Sequence, residues 1–137
     1  MTLVEALAAL RKAEMIRNPW PPGSLWVRGQ EFLRVVTSSA SGPSVWESMD
    51  LDDQALWVRC TEEEDGWPFD SEPVITDHAT EGCLLALLRE ARDDETIRPS
   101  LETPKGYLMW HLPGLPHGFD SEREAVMGGL IAMASWL

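Results

Sequence analysis

The sequence predicts an α+β fold in which helices pack on one face of a largely antiparallel sheet. Capping boxes at residues 2–5 and 121–124 each open a stretch with apolar residues at helical spacing. Short apolar runs bounded by glycine- or proline-containing turns indicate strands between the helices. The predicted order is α-β-β-(β)-β followed by α-β-β-α. Because strands adjacent in sequence mostly pair directly, we expect the sheet to be antiparallel.

The chain is predicted to begin with one helix and a β-hairpin. Thr2 caps the helix, which must end before the proline-rich stretch at residues 19–22. Two apolar runs, residues 25–28 and residues 32–36, flank Gly29 and indicate a hairpin.

Residues beyond the hairpin are predicted to alternate between irregular and extended structure. The composition of residues 37–44 predicts a loop, and residues 45–48 predict a short strand. Residues 50–55 predict one helical turn capped by Asp50. Residues 56–60 predict a strand, whose buried face would carry three alternating residues: Leu56, Val58 and Cys60.

The second half of the chain repeats the theme of a helix followed by a hairpin. Either Thr76 or Asp77 caps a helix that is predicted to reach about Arg92. Two strands and then a Pro/Gly-rich loop follow, at residues 96–102, 106–112 and 113–118. Ser121 caps a C-terminal helix.

Charge is distributed unevenly along the chain, and the change in charge near residue 61 predicts two lobes. The formal net charge is −12; residues 1–60 contain six Lys/Arg and seven Asp/Glu, whereas residues 61–137 contain five and sixteen. Residues 62–73 predict an acidic linker between lobes 1–61 and 74–137. Because a phosphate-binding face needs clustered basic residues, we expect no direct nucleic-acid binding.

Overall composition is typical of a globular cytoplasmic protein. The chain is 44% hydrophobic and 25% charged. It contains no apolar run approaching the roughly 18 residues of a membrane span, and it lacks the pattern of a signal peptide at its start. We therefore expect no membrane contact. Cys60 and Cys83 are expected to be thiols within the core, since disulfides are rare in a reducing compartment.

No set of residues predicts catalysis or a resident cofactor. The chain lacks a phosphate-cradling glycine loop and a nucleophile elbow, and Cys83 lies in an apolar helical stretch. Three polar clusters resemble metal ligands in composition but not in spacing: His111 and His117 with Asp120, the acidic run 62–65, and Asp50 with Asp52 and Asp53. We therefore expect no enzyme activity, no cofactor and no metal.

Seven tryptophans in 137 residues are the strongest functional signal. Trp20 lies among prolines, which lower the entropy lost when a flat ring is presented to a ligand. A second interpretation stays open, in which Trp20 covers the first helix as part of the core. Trp110 and Trp136 are predicted to be structural, while the roles of Trp46 and Trp67 stay open.

The predicted ligand-binding residues combine tryptophans with nearby arginines, because indoles stack on flat heterocycles and guanidinium groups bind phosphates. Four arginines lie near these rings in the sequence, Arg17, Arg28, Arg34 and Arg59, and a surface cation is the alternative for each. Trp26 and Trp57 lie in predicted strands, where a structural role is the alternative. The complete predicted set is Trp20, Arg17, Trp26, Trp57 and Arg28.

Residues 1–20, followed by the strand Leu25-Trp26-Val27, resemble the start of a small phage and prophage domain family. The shared layout is a capped helix with an Ala-Leu-x-x-Leu pattern, a basic residue, a turn and a tryptophan, here Ala6, Leu7, Leu10, Ile16, Arg17 and Trp20. The resemblance covers about 60 residues. This chain has Ala13-Glu14 where the family usually has Gly-Lys, and Leu56-Trp57 where it has an Asp-Trp pair. Residues 79–91 resemble the helical start of α-β-β-α modules in prophage proteins.

This resemblance implies a function in phage anti-defence. Characterised members of the family are sponges that sequester cyclic nucleotide immune signals, notably cyclic ADP-ribose isomers of the Thoeris system, and they assemble as homo-oligomers. In those members a loop tryptophan, similar in place to Trp20, helps to hold the ligand. The resemblance thus implies a non-enzymatic protein of the host bacterium's cytoplasm that binds a small nucleotide-like ligand.

The acidic second half keeps two alternative functions open. Its carboxylates would suit an interaction protein that mimics nucleic acid and inhibits a basic host protein, such as a defence protein. The other alternative is an accessory protein of phage assembly.

Overall fold

The computed structural model describes residues 1–39, 42–60, 70–103 and 106–137, with Ser39, Gly42, Arg59 and Cys60 described by their backbone. The fold is α+β, as the sequence predicts. Within these residues the chain forms three α-helices, a five-stranded sheet and a two-stranded sheet. Among the helices so described, none has both the length and the apolar character needed to cross a membrane.

The chain divides into two compact units, and the division differs from the predicted one. The sheet unit comprises residues 18–83, and the helical unit comprises residues 1–17 together with residues 84–137. Residues 72–73, expected in an acidic linker, instead form a strand of the sheet unit. The rest of the predicted linker, residues 61–69, lies outside the described residues.

Antiparallel pairing throughout builds the five-stranded sheet of the sheet unit. Its strands are β1 (Leu25–Arg28), β2 (Glu31–Ser39), β3 (Gly42–Ser48), β4 (Val58–Cys60) and β5 (Glu72–Pro73). Their order across the sheet is β4-β3-β2-β1-β5. The predicted hairpin around Gly29 is confirmed: Gly29 has φ +61°, a conformation that glycine adopts without strain.

Strands β2 and β3 correct the expectation of a loop at residues 37–44. Thr37 pairs with Ser44, and Ser38 pairs with Pro43, so both strands extend into the polar segment. Composition predicted a loop because Ser, Gly and Pro favour turns, but a strand ladder is held by backbone groups and tolerates polar side chains.

The predicted helical turn after β3 is present but begins later. A 3₁₀ turn spans Gln54–Leu56, and its cap is Asp53, not Asp50. Strand β4 then begins at Val58, and the predicted burial of one face of this segment is wrong. Leu56 and Val58 expose 52% and 63% of their surface: Leu56 precedes β4, and among the described residues β4 pairs with β3 on one side only.

Pairing register gives the sheet two faces of different character. One face carries apolar side chains that are buried in the core: Trp26, Leu33, Val35 and Val45. Across the other face lie Leu25, Arg34 and Trp46 in one row, since directly paired residues project to the same side. Leu25 is fully buried, whereas Trp46 exposes 38% of its surface.

The helical unit contains helices whose predicted caps are confirmed. In α1 (Leu3–Lys12), Thr2 Oγ1 accepts from the Glu5 N–H at 3.1 Å. In α3 (Glu122–Ser135), Ser121 Oγ accepts from the Glu124 N–H at 3.2 Å. Helices α1 and α3 contact each other directly.

Helix α2 (His78–Arg92) ends close to the predicted residue, and a short hairpin follows it. The hairpin strands β6 (Ser100–Glu102) and β7 (Met109–His111) lie within the predicted ranges but are shorter. Trp110 of β7 and Phe119 exchange two backbone hydrogen bonds of 2.9 and 2.8 Å. Their pairing draws the end of the Pro/Gly-rich loop back alongside the hairpin.

Candidate ligand-binding cavity

The sheet unit contains an open cavity of about 510 Å³ whose lining is mainly aromatic and polar. Small-molecule sites in proteins typically occupy about 300–1,000 Å³, so the volume suits a compact ligand. Among the residues that the structure describes, five line it: Arg34, Trp46, Leu51, Gln54 and Trp57.

The sheet supplies the floor of the cavity through one cross-strand pair. Arg34 of β2 lies directly opposite Trp46 of β3, so their side chains project from the same face of the sheet, opposite to the face that carries Leu33 and Val45. A one-residue shift in register would turn both side chains towards the core. The apolar residues that alternate with them, Leu33 and Val45, are fully buried and therefore fix the register.

The loop between β3 and β4 supplies one wall of the cavity, and local hydrogen bonds order this loop. Ser48 Oγ donates to the Asp50 carbonyl at 2.8 Å and accepts from the Asp50 N–H at 3.1 Å. Asp50 Oδ1 accepts from the Asp52 N–H at 3.0 Å, and Asp53 Oδ1 accepts from the Ala55 N–H at 3.0 Å. These side-chain turns hold the backbone from which Leu51, Gln54 and Trp57 reach the cavity.

The guanidinium of Arg34 is fixed from behind by two partners. Nη1 donates to the Gly23 carbonyl at 2.9 Å and to Asp77 Oδ2 at 2.7 Å, while Nη2 donates to Asp77 Oδ1 at 3.1 Å. The bidentate pair with Asp77 is a strong, directional geometry. Gly23 has φ +92°, which disfavours any other residue at the position that presents this carbonyl.

Asp77 joins Arg34 to the start of helix α2. Its Oδ2 accepts from the Thr80 N–H at 3.1 Å and from Thr80 Oγ1 at 2.9 Å, as expected for the predicted cap. Partial burial alone would raise the pKa of this carboxyl. Hydrogen bonds from Arg34 and Thr80, together with the charge of Arg34, outweigh burial and lower the pKa below its ordinary value.

Thr80 anchors this cap to the sheet. Its hydroxyl is buried, accepts from the Leu25 N–H at 2.7 Å and lies 3.4 Å from the Leu25 carbonyl. The position of Arg34 is thus determined by contacts with β1, the Gly23 loop and the first turn of α2.

Of the five predicted ligand-binding residues, the structure brings only Trp57 to this cavity. Trp20 and Trp26 are 3% and 1% exposed, so neither presents its ring at the surface. Trp26 Nε1 donates to Ser24 Oγ at 3.0 Å, and the Trp20 carbonyl accepts from Ser38 Oγ at 2.8 Å. The expectation that prolines hold Trp20 out towards a ligand is corrected here, because the apolar indole is buried instead.

The two predicted arginines also lie away from the cavity lining. Arg28 pairs with Glu47 at 3.2 Å and lies 3.9 Å from Glu31. Arg17 belongs to the helical unit, where its backbone N–H donates to Glu90 Oε1 at 3.0 Å.

The predicted set leaves out four of the lining residues: Arg34, Trp46, Leu51 and Gln54. The sequence places Arg34 near the tryptophans and leaves the role of Trp46 open, whereas it gives no indication of Leu51 or Gln54. A signal for two of them was present, since alternation along residues 32–36 and 45–48 places Arg34 and Trp46 on the polar faces of adjacent strands. The contribution of Leu51 and Gln54 depends on the loop conformation, which periodicity does not encode.

No protein-family model matches this chain, and comparisons with curated proteins and with solved structures likewise find no match. The cavity's own chemistry is therefore the basis for assigning a function.

Among the described residues, no group of three or more His, Cys, Asp or Glu side chains is placed to hold a metal ion. The acidic run 62–65 lies outside these residues. His117 packs against Phe119 with ring centroids 4.9 Å apart, while His111 lies beside Gly118. Cys83 is a free, half-buried thiol whose Sγ lies 3.7 Å from the Pro22 carbonyl. Burial, and then the nearby Asp77 charge, raise the pKa of this thiol, which disfavours the reactive thiolate.

Chemically, the cavity offers two indole rings, an apolar side chain, a guanidinium and a primary amide. Indole faces bind planar rings, and the amide offers both a donor and an acceptor. This combination suits the recognition of a flat heterocycle that carries polar edges.

Proposed function

We propose that this protein binds and sequesters a small nucleotide-like ligand without transforming it. The observation that carries the proposal is that Trp46, Trp57 and Arg34 line one cavity of about 510 Å³. In this proposal Trp46 and Trp57 make the stacking contacts with the ligand that the sequence predicted for Trp20.

Physical magnitudes support a heterocyclic ligand. Stacking of a base on an aromatic side chain contributes about 1–3 kcal/mol, so two such contacts would provide a large share of a micromolar affinity. Cross-strand pairing and local turns order the cavity before the ligand arrives, which lowers the entropy lost on binding.

The resemblance of residues 1–20 to phage anti-defence sponges supports a more specific proposal. In this proposal the ligand is a cyclic ADP-ribose-like immune signal, and the protein acts as a homo-oligomer in an infected bacterium. Sequestration requires binding alone, which agrees with a cavity built from stacking and hydrogen-bonding groups.

Isothermal titration calorimetry tests the function directly. We expect a cyclic ADP-ribose isomer, a cyclic dinucleotide or a simple adenine nucleotide to bind at about 100 µM protein, where dissociation constants in the micromolar range are measurable. Absence of heat with all of these ligands would refute the proposal.

Tryptophan variants test whether binding occurs at this cavity. Trp46→Ala and Trp57→Ala should each weaken binding by about fivefold to a hundredfold, the range expected for loss of one stacking contact. Trp136→Ala is the matched control, because Trp136 is 62% exposed, caps α3 and does not line the cavity. Equal affinities for all three variants and the wild-type protein would place the ligand elsewhere.

A further inference from the structure

We propose that the cavity recognises the uncharged heterocycle of its ligand and leaves any phosphate in solvent. This inference rests on the proposed function and specifies which part of the ligand the cavity binds. It predicts that a nucleoside and its phosphorylated forms bind with similar affinity.

The first argument is that the positive charge of Arg34 is already compensated. Three of its N–H groups donate to the Asp77 carboxylate and the Gly23 carbonyl. Asp77 is held in place independently, because Thr80 donates to it twice. A phosphate at Arg34 would have to displace this ordered carboxylate or lie beside it, and like charges at close range repel each other.

The second argument is the charge of the surroundings. The loop that forms one wall carries three exposed carboxylates, Asp50, Asp52 and Asp53. The described residues of the sheet unit include three Lys/Arg and nine Asp/Glu, a formal net charge of −6. Such a field lowers the local concentration of polyanions and does not oppose a neutral ring.

The third argument is that the other lining residues offer contacts suited to an uncharged ring. Trp46 and Trp57 offer π faces that bind any base, and Leu51 adds apolar surface. Gln54 can donate to a ring nitrogen or accept from an exocyclic amine. None of these four groups requires a charge on the ligand.

A matched ligand series tests the inference on the wild-type protein. Adenosine, AMP and ADP carry the same base with zero, one and two phosphates, and calorimetry should give dissociation constants for them within about threefold of one another. Cyclic ADP-ribose is titrated beside them as the ligand of the proposed function. The affinity for AMP should not fall between about 0.02 and 0.2 M NaCl, because screening leaves stacking intact and weakens only the repulsion between the phosphate and the surrounding carboxylates.

The outcomes separate this inference from the proposed function. If affinity rises more than about threefold with each phosphate, or falls steeply with salt, the inference is overturned and the nucleotide-binding function stands. If no member of the series binds, the inference fails, whereas the proposed function fails only if the cyclic dinucleotides give no heat either.

Asp77→Asn probes the physical basis of the inference. Asparagine retains a side-chain oxygen that can cap α2 but removes the negative charge beside Arg34. The affinity of AMP relative to adenosine should then increase at least threefold over the wild-type ratio, with folding checked by circular dichroism. An unchanged ratio in folded protein contradicts the proposal, and the wild-type series decides the question if the variant does not fold.

Discussion

Asp77 shows how one side chain connects local structure to the candidate site. It caps α2 through Thr80 and holds Arg34 at the cavity through a bidentate ion pair. The side chains of Arg34 and Asp77 are 31% and 19% exposed, so the pair is only partly screened by water. Partly buried, hydrogen-bonded charge pairs contribute more than surface pairs, whose median contribution is below about 1 kcal/mol.

Stability should depend on the ionisation of Asp77 with a defined sign. Because folding lowers the pKa of this carboxyl, its contribution is fully present above about pH 4 and is lost as the pH falls through the lower, folded value. Asp77→Asn should therefore reduce the free energy of unfolding by about 1–3 kcal/mol at pH 7, and the difference from wild type should shrink below pH 4.

Urea unfolding at pH 7, 5 and 3 measures this difference. Asp94→Asn is the matched control: Asp94 also accepts from a threonine N–H and hydroxyl, those of Thr96, but it is fully exposed. A smaller loss is expected for this variant. A difference between Asp77→Asn and wild type that stays constant down to pH 3 would show that the carboxylate charge is not responsible.

At the scale of secondary structure, local sequence patterns predicted where helices begin but were less informative about the extent of strands. Thr2 and Ser121 were identified from capping boxes because a cap is a local hydrogen bond between residues three apart. The extension of β2 and β3 across Thr37 and Ser44 was missed, because pairing depends on a partner strand and not on local composition. The cavity lining could not be predicted from local patterns for the same reason, because it combines a cross-strand pair with residues of a loop.

Glycines within helices provide a prediction at the same scale. In α2, Gly82 is exposed, and no described atom lies within 4 Å of a β-carbon built on it. In α3, a β-carbon on Gly128 would lie 2.6 Å from Phe119 Cζ. Gly82→Ala should stabilise the protein by about 0.5–1 kcal/mol through helix propensity, whereas Gly128→Ala should destabilise it by about 1–3 kcal/mol through overpacking.

Thermal and urea unfolding of this pair compare the two effects. Both variants add one methyl group to a helix, so intrinsic propensity favours both, and any difference in sign arises from packing. If Gly128→Ala were as stabilising as Gly82→Ala, the aromatic contact with Phe119 would not constrain α3.

At the scale of the whole molecule, the division into units was beyond the reach of composition. The acidic run predicted a boundary near residues 62–73, yet residues 72–73 pair with β1, and the helical unit joins the two ends of the chain. Composition describes residues that are consecutive in the sequence, whereas a structural unit is defined by contacts between segments that are distant in the sequence. Binding of a basic host protein by the acidic surface stays a prediction.

The net charge of −12 gives a prediction for the complete chain. Folding brings carboxylates together, and this repulsion opposes the compact state more than the expanded unfolded state. Raising NaCl from 0.01 to 0.15 M shortens the Debye length from about 30 to about 8 Å and should therefore increase the free energy of unfolding by about 1 kcal/mol. Urea unfolding across this range measures the increase, and Glu95→Lys, at an exposed position, should reduce it by lowering the net charge. A decrease with salt would instead mean that attractive pairs such as Arg34–Asp77 and Arg28–Glu47 outweigh the repulsion, since screening weakens both kinds of interaction.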